Sequence, residues 1–198
     1  MKNKLFFIVI ILLASTIFAD YNEILNRVSN QYQDINTLEA ELIQTSYVPL
    51  LNQSIHSLGN LYLQDDIIIV EFYSPARLFM ILNNGELTLY SHDTNVAFIN
   101  SIDGMQQIYQ FAEILSQEMK FIEKNDNLLV FDVQNPVDIV SYIRLYINET
   151  TELIEQITYP GDGLAVNTVS FINQKFNMPL SKDINDFKIP ENATIIRQ

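Results

Sequence analysis

The stretch from residue 59 to residue 90 limits the possible folds most, because its strands look apolar on both faces. Residues 59–63, 67–73, 77–82 and 86–90 are rich in Leu, Ile, Val, Phe and Tyr, with turn residues between them. A half-buried antiparallel strand alternates apolar with polar residues, whereas a strand that is apolar throughout is covered on both sides or lines a cavity. The turns are short enough for hairpins. The sequence therefore predicts an antiparallel meander with further structure against its second face.

The N-terminal residues have the pattern of a secretory signal. Two lysines precede an apolar run over residues 5–13, and Ala19 closes a short segment before Asp20. This pattern predicts a signal peptide over residues 1–19 that is cleaved on export. The apolar run is shorter than the roughly 20 residues of a membrane-spanning helix, and an uncleaved anchor is the alternative.

Residues 20–198 are acidic and are expected to form a single domain with its own core. The chain has 24 Asp and Glu against 11 Lys and Arg, a formal net charge of −13, and loss of the signal removes two of the lysines. Such a charge argues against binding to nucleic acid, because the main electrostatic interaction would be repulsive. The chain has no cysteine, which excludes disulfide bonds and an acylated cysteine anchor.

Apolar periodicity predicts two amphipathic helices among the strands. The first has one apolar face that follows the signal, formed by Leu25, Val28, Tyr32 and Ile35. The second has an apolar face formed by Met105, Ile108, Ala112, Leu115 and Met119. Further strands are predicted from Leu38 and over residues 96–99, 128–133, 139–147, 153–159 and 164–173. The predicted class is α+β, with a large antiparallel sheet that curls around helices on its concave side.

Five short motifs, in this order and spacing, resemble the outer-membrane lipoprotein carrier (LolA) family. They are a first strand that ends at Gln44, the Gly-x-Leu-aromatic segment at residues 59–62, the aromatic strand that leads to Pro75, the Gly85 turn before Tyr90, and Phe187-x-x-Pro190 near the C-terminus. The resemblance covers most of the mature chain. Two positions depart from the family pattern: Gln64-Asp65-Asp66 stands where an arginine is frequent, and Val70 replaces a usual tryptophan.

The resemblance implies both a fold and a function. The fold is an incomplete antiparallel β-barrel, with short amphipathic helices as a lid over an apolar cavity. The function is that of a monomeric periplasmic carrier that binds the acyl chains of lipoproteins. The implied partners are the acylated lipoprotein cargo, an ABC-type release complex of the inner membrane, and an outer-membrane acceptor. Each buried CH₂ of an acyl chain contributes about 0.8 kcal/mol, so differential affinity is enough for transfer and no catalysis is needed.

The predicted lining of the cavity consists of apolar side chains of the meander and of the second helix. The meander residues are Tyr62, Val70, Phe72, Met80, Leu82, Leu87 and Leu89, and the helix residues are Ile108, Leu115 and Met119. Met and Leu suit a site that repacks around flexible chains. The alternative is that all ten belong to an ordinary core, and a shift of one residue in register would replace them with their neighbours.

The sequence has no pattern of catalytic residues, so we expect no enzyme, no cofactor and no metal site. His56 and His92 lie in polar, turn-like surroundings without the spacing of metal ligands. A second class of function is a lipid-binding or sensor domain on the same half-barrel, which would detect a lipid or a protein without carrying it. Such a sensor normally has a further partner-binding domain, for which this length leaves little room, and this favours the carrier.

Overall fold

The computed structural model describes residues 21–101, 111–134, 141–161 and 164–197. Its helices are α1, over residues 21–33, and α2 (Phe111–Ser116). The strands are β1 (Thr37–Val48), β2 (Gln53–Gln64), β3 (Ile67–Ser74), β4 (Leu78–Asn83), β5 (Glu86–Ser91), β6 (Val96–Ser101), β7 (Met119–Asn125), β8 (Leu128–Val133), β9 (Ile143–Asn148), β10 (Ile154–Pro160), β11 (Val166–Phe176) and β12 (Thr194–Arg197).

All twelve strands belong to one sheet, in the order β12-β6-β5-β4-β3-β2-β1-β11-β10-β9-β8-β7. Neighbours pair antiparallel, except that β12 runs parallel to β6. Strand β1 joins the two halves, because it pairs with β2 on one side and with β11 on the other. The sheet is curled and unclosed, with β12 and β7 as its outermost strands in the described part of the chain. The predicted α+β fold, an incomplete β-barrel with helices, is confirmed.

The two helices pack on one face of the sheet, which we call the helix face. Helix α1 contributes Ile24, Val28 and Tyr32, and α2 contributes Phe111 and Ile114, to a core with buried residues of β1 to β4 and β8 to β11. Val28 and Tyr32 are buried as the periodicity predicted, because residues four apart lie above one another on a helix. Leu25 and Ile35 are only partly buried, and Ile24, which was not predicted, is buried instead. The main core therefore lies inside the curl of the sheet.

A C-terminal segment, residues 177–193, covers part of the opposite face, and we call it the strap. Phe187 of the strap is buried against Tyr62 and Phe79, with ring centroids 5.5 and 5.9 Å apart. Together with Ile69, Tyr90 and Ala97 these residues form a second apolar cluster. The strands of the meander are apolar on both faces because the helix face meets the core and the other face meets the strap.

A salt bridge and a hydrogen bond to a carboxylate hold the strap across the sheet. The Lys182 ammonium donates to both carboxylate oxygens of Glu71, at 2.8 and 3.0 Å, and lies 4.4 Å from the ring centre of Phe187. The backbone N–H of Ser181 donates to Glu39 Oε2 at 2.6 Å. The strap then continues into β12, which extends the sheet beyond β6.

The second predicted helix differs from the structure. The apolar spacing continued the second helix to Met119, but α2 ends at Ser116 and Met119 is the first residue of β7. Gln117 N–H donates to the carbonyl of Ile114 at 3.1 Å, which closes the helix one turn earlier. Within the described residues, no helix is long and apolar enough to span a bilayer.

Candidate functional site

A row of apolar side chains crosses six adjacent strands on the helix face, and we call it the apolar row. Residues that face one another in neighbouring strands project from the same side of a sheet. The pairing aligns one residue from each of β2, β3, β4, β5, β6 and β12 in turn, and these residues are Leu61, Val70, Met80, Leu89, Phe98 and Ile196. No charged residue interrupts the row.

Burial falls along the apolar row from the centre of the sheet to its edge. Leu61 and Val70 are inaccessible to solvent, and Met80 and Leu89 are half-buried. Phe98 keeps 39% of its surface exposed and Ile196 keeps 38%. We call the exposed end of this row the groove. Its apolar area suits an elongated apolar ligand, since apolar area that leaves water lowers the free energy.

A second row beside the first ends in a polar side chain. It consists of Ile68, Leu82, Leu87 and Asn100, one from each of β3 to β6. The side-chain oxygen of Asn100 is shielded from solvent and has no hydrogen-bond donor among the described residues. A buried carbonyl without a partner costs about 1 to 3 kcal/mol. Asn100 is thus an unsatisfied acceptor beside the groove.

The structure brings together six of the ten residues that the sequence predicted as lining. Val70, Met80 and Leu89 lie in the apolar row, Leu82 and Leu87 lie in the second row, and Phe72 follows Val70 on the same face of β3. Their role in binding acyl chains stays a prediction.

The other four predicted lining residues lie elsewhere or outside the described residues. Tyr62 projects from the opposite face, where it contacts Phe187 of the strap. Leu115 is buried in the main core on α2, and Met119 packs against the same core from β7 rather than from a helix. Ile108 lies outside the described residues.

Sequence reasoning missed Phe98 and Ile196, which are the most exposed members of the apolar row. Phe98 lies in a predicted strand, and its alternation with Ala97 and Ile99 marked the two faces of that strand without showing which faced the helices. Ile196 is placed by the parallel pairing of β12 with β6, which joins segments almost 100 residues apart. No local pattern signals such a pairing.

Charged groups near the meander lie on the strap face. Glu39 pairs with Tyr62, and Glu71 pairs with Asn60, so both carboxylates project away from the groove. Burial, together with the negative charges of Glu71 and Glu39, raises the pKa of Tyr62. The described side chains of the groove are therefore uncharged, although the chain carries a net charge of −13.

The same sequence resembles a known protein over most of its length. It is 22% identical over 156 residues to an outer-membrane lipoprotein carrier protein of Campylobacter jejuni, which spans 77% of this chain and 83% of that protein. The predicted resemblance to the outer-membrane lipoprotein carrier (LolA) family is confirmed. No family model matches the sequence.

Solved structures resemble this LolA-like chain at low sequence identity. An uncharacterized conserved protein from Thermus thermophilus superposes with a TM-score of 0.56 at 14% identity, over 90% of this chain and 99% of that one. A LolA superfamily protein from Nitrosomonas europaea has a TM-score of 0.46 at 9% identity, over 80% and 94% of the two chains. At such identity the Thermus structure supports a shared fold alone.

Proposed function

We propose that the protein is a periplasmic carrier that binds the acyl chains of lipoproteins in the groove of the apolar row. The observation that carries the proposal is the fall in burial from Val70 to Phe98 along one uncharged row. An ordinary core would be covered along its whole length, whereas a binding surface keeps apolar area available. Half-buried Met80 adds a flexible side chain that can repack around a ligand.

The proposed cargo and partners follow from the LolA-like sequence. An ABC-type complex releases a lipoprotein from the inner membrane, and the monomeric carrier binds its acyl chains. The carrier then delivers the lipoprotein to an outer-membrane acceptor. Transfer needs only that the affinity for acyl chains rises from the donor to the carrier and from the carrier to the acceptor. The proposed role is binding, without catalysis.

The groove is tested with a fluorescent fatty acid and two matched aspartate variants. Phe98→Asp places a charge in the apolar row, where a buried carboxylate is unfavourable. Ile195→Asp makes the same change at the neighbouring exposed position of β12, which is paired with Ala97 and projects from the strap face. We expect Phe98→Asp to weaken binding by about tenfold or more and Ile195→Asp to leave it unchanged.

Thermal unfolding of both variants shows whether they are folded. If Phe98→Asp is folded and binds the fatty acid as the unchanged protein does, the apolar row is not the binding site. Native mass spectrometry of the protein isolated from its own periplasm then separates the two functional classes. A bound acylated protein supports the carrier, whereas a stable complex with a regulatory protein, without acyl chains, supports the sensor.

A further inference from the structure

The longest stretch of the chain without a charged residue is 23 residues long and forms one hairpin. From Leu42 to Gln64 there is no Asp, Glu, Lys or Arg, in a chain of which 18% is charged. This stretch covers most of β1, all of β2 and the turn between them. Its only histidine, His56, lies 3.1 Å from Thr45 Oγ1. Absence of charge over this length, in an acidic protein, distinguishes the hairpin from the rest of the surface.

Two adjacent leucines stand at the tip of this hairpin. Leu50 is 77% exposed and Leu51 is 65% exposed, in the short 3₁₀ turn Pro49–Leu51. The turn is closed by Asn52, whose left-handed backbone lets its N–H donate to the carbonyl of Pro49 at 3.1 Å. The hydroxyl of Tyr47 donates to Asn52 Oδ1 at 3.2 Å and links both sides of the turn. These contacts hold the leucines outward.

A second turn extends this apolar surface. Leu164 is 70% exposed and lies two residues before Val166, which pairs with Tyr47. The turn that leads into β11 therefore lies beside the hairpin tip. We call the hairpin tip the uncharged end, with Tyr47, Leu50, Leu51 and Ile55 as its exposed apolar residues. Leu164 lies beside it, in a turn whose sequence also contains Asp162.

Charged residues gather at the opposite end of the same strands. Glu39 and Glu41 lie in the first half of β1, Lys175 lies beside them on β11, and Asp65-Asp66 forms the other turn of β2. Along these strands the charged residues thus lie at one end, and the neutral hairpin tip lies at the other. An acidic body is repelled from an anionic surface over about 8 Å at physiological salt, so the neutral end is the one that can approach.

We propose that the uncharged end docks on the surface of a lipid bilayer, with Leu50 and Leu51 among the upper acyl carbons. The tip is a 3₁₀ turn of only three residues, and a fluid surface needs no complementary shape. The side chains that surround it, including Asn52, Gln53 and Ser54, are polar without charge. Such side chains can exchange hydrogen bonds at headgroup depth without the cost of removing a charge from water. Docking goes beyond acyl-chain binding, because a carrier can exchange cargo with a protein without touching lipid.

The absence of tryptophan from the chain gives a direct test. Leu51→Trp introduces a single reporter at the tip, and Met178→Trp introduces one at a position that is 56% exposed in the strap. The protein is purified after export, with its N-terminus determined, and mixed with phosphatidylcholine vesicles. We expect a blue shift of the emission, and quenching by brominated lipid, for Leu51→Trp alone.

Flotation of the otherwise unchanged chain tests the two leucines. The double variant Leu50→Ser, Leu51→Ser should float with the vesicles at least about tenfold less. Serine lacks the apolar side-chain area that each leucine would bury in the bilayer. The matched double variant Met178→Ser, Ile195→Ser should float as the unchanged protein does. Phosphatidylglycerol in the vesicles should reduce flotation, and added salt should restore it.

Three outcomes would overturn the docking proposal. They are equal flotation of the two double variants, no spectral change for Leu51→Trp on any vesicle, and a photocrosslinker at position 51 that captures a protein instead of lipid in cells. Binding of the fluorescent fatty acid is measured on the same variants. If the tip variant keeps that binding, the groove is intact whether or not the docking proposal holds.

Discussion

The hydroxyl of Tyr32 accepts a hydrogen bond from the backbone N–H of Ile154 at 3.0 Å, deep in the core between α1 and β10. The same hydroxyl donates to Gln174 Oε1 at 3.0 Å, and Gln174 Nε2 donates to the carbonyl of Ile154 at 2.8 Å. Burial raises the pKa of Tyr32, so the phenol keeps its proton and can donate throughout the physiological range. This closed set of contacts fixes α1 to the sheet.

Tyr32→Phe should lower the free energy of unfolding by about 1 to 3 kcal/mol, because it leaves a buried N–H and a buried amide oxygen without partners. Urea unfolding measures the change. Tyr47→Phe is the matched control, since its hydroxyl bonds to Asn52 at the exposed hairpin tip. If both variants lose the same free energy of unfolding, the buried hydrogen bonds of Tyr32 stabilise the protein no more than an exposed one does.

Asn100→Leu should make the ligand-free protein more stable by about 1 kcal/mol, because it removes a shielded acceptor that has no partner among the described residues. Asn95→Leu in the turn before β6 serves as a contrast. Its side chain accepts from Tyr90 at 2.9 Å and donates to the carbonyl of Asn192 at 3.0 Å, so that variant should be less stable. Thermal melting compares them, and a loss of stability in both would mean that Asn100 has a partner.

Phe187→Ala should lower the free energy of unfolding by about 3 kcal/mol, because the ring is buried between Tyr62 and Phe79. Met178→Ala, at an exposed position of the same strap, should cost much less. Chemical unfolding measures both. A small effect of Phe187→Ala would show that the strap contributes little to the fold.

Acid should loosen the strap through Glu39. Partial burial raises the pKa of this carboxyl, but hydrogen bonds from the Ser181 N–H and from Lys175 outweigh it and hold the pKa below its usual range. Stability from such a group is present above the ordinary pKa and is lost as the pH falls through the lowered one. Limited proteolysis within residues 177–193 should therefore accelerate in acid.

Glu39→Gln should already show faster cleavage of the strap at neutral pH and a weaker response to acid. Glu41→Gln is its control, since Glu41 accepts from Asn173 on β11, away from the strap. If cleavage of Glu39→Gln depends on pH as strongly as cleavage of the unchanged protein, another group controls the strap.

The strands could be predicted where one apolar run stands between clear turns. Residues 128–133 were predicted at the bounds of β8, since Asp126-Asn127 precedes the run and a polar segment follows. Strand β7 was missed because its first residue, Met119, also continues the helical spacing of Leu115. A single apolar residue fits both the helical and the strand period. Only the pairing of Met119 with Val133 shows that Met119 belongs to a strand.

The candidate site was predicted in part for a similar reason. Val70, Met80 and Leu89 face one another in neighbouring strands, so they fell on the helix face together. Leu61 and Tyr62 are adjacent and both apolar, so alternation gave no preference between them. Tyr62 was the predicted lining residue, and it faces the strap. The strap itself has no periodicity, because it crosses strands instead of joining their ladder.

The strap has a consequence for the order in which this molecule can be completed. The strands that it covers are contained in residues 60–101, whereas the covering residues lie more than 75 positions later. During synthesis or export from the N-terminus, that apolar face stays bare until nearly the whole chain has emerged, and long-range closure of this kind is slow. A truncated product that lacks the strap would therefore expose Tyr62, Phe79 and Tyr90. Chaperones and proteases could then distinguish it from a chain that includes the strap.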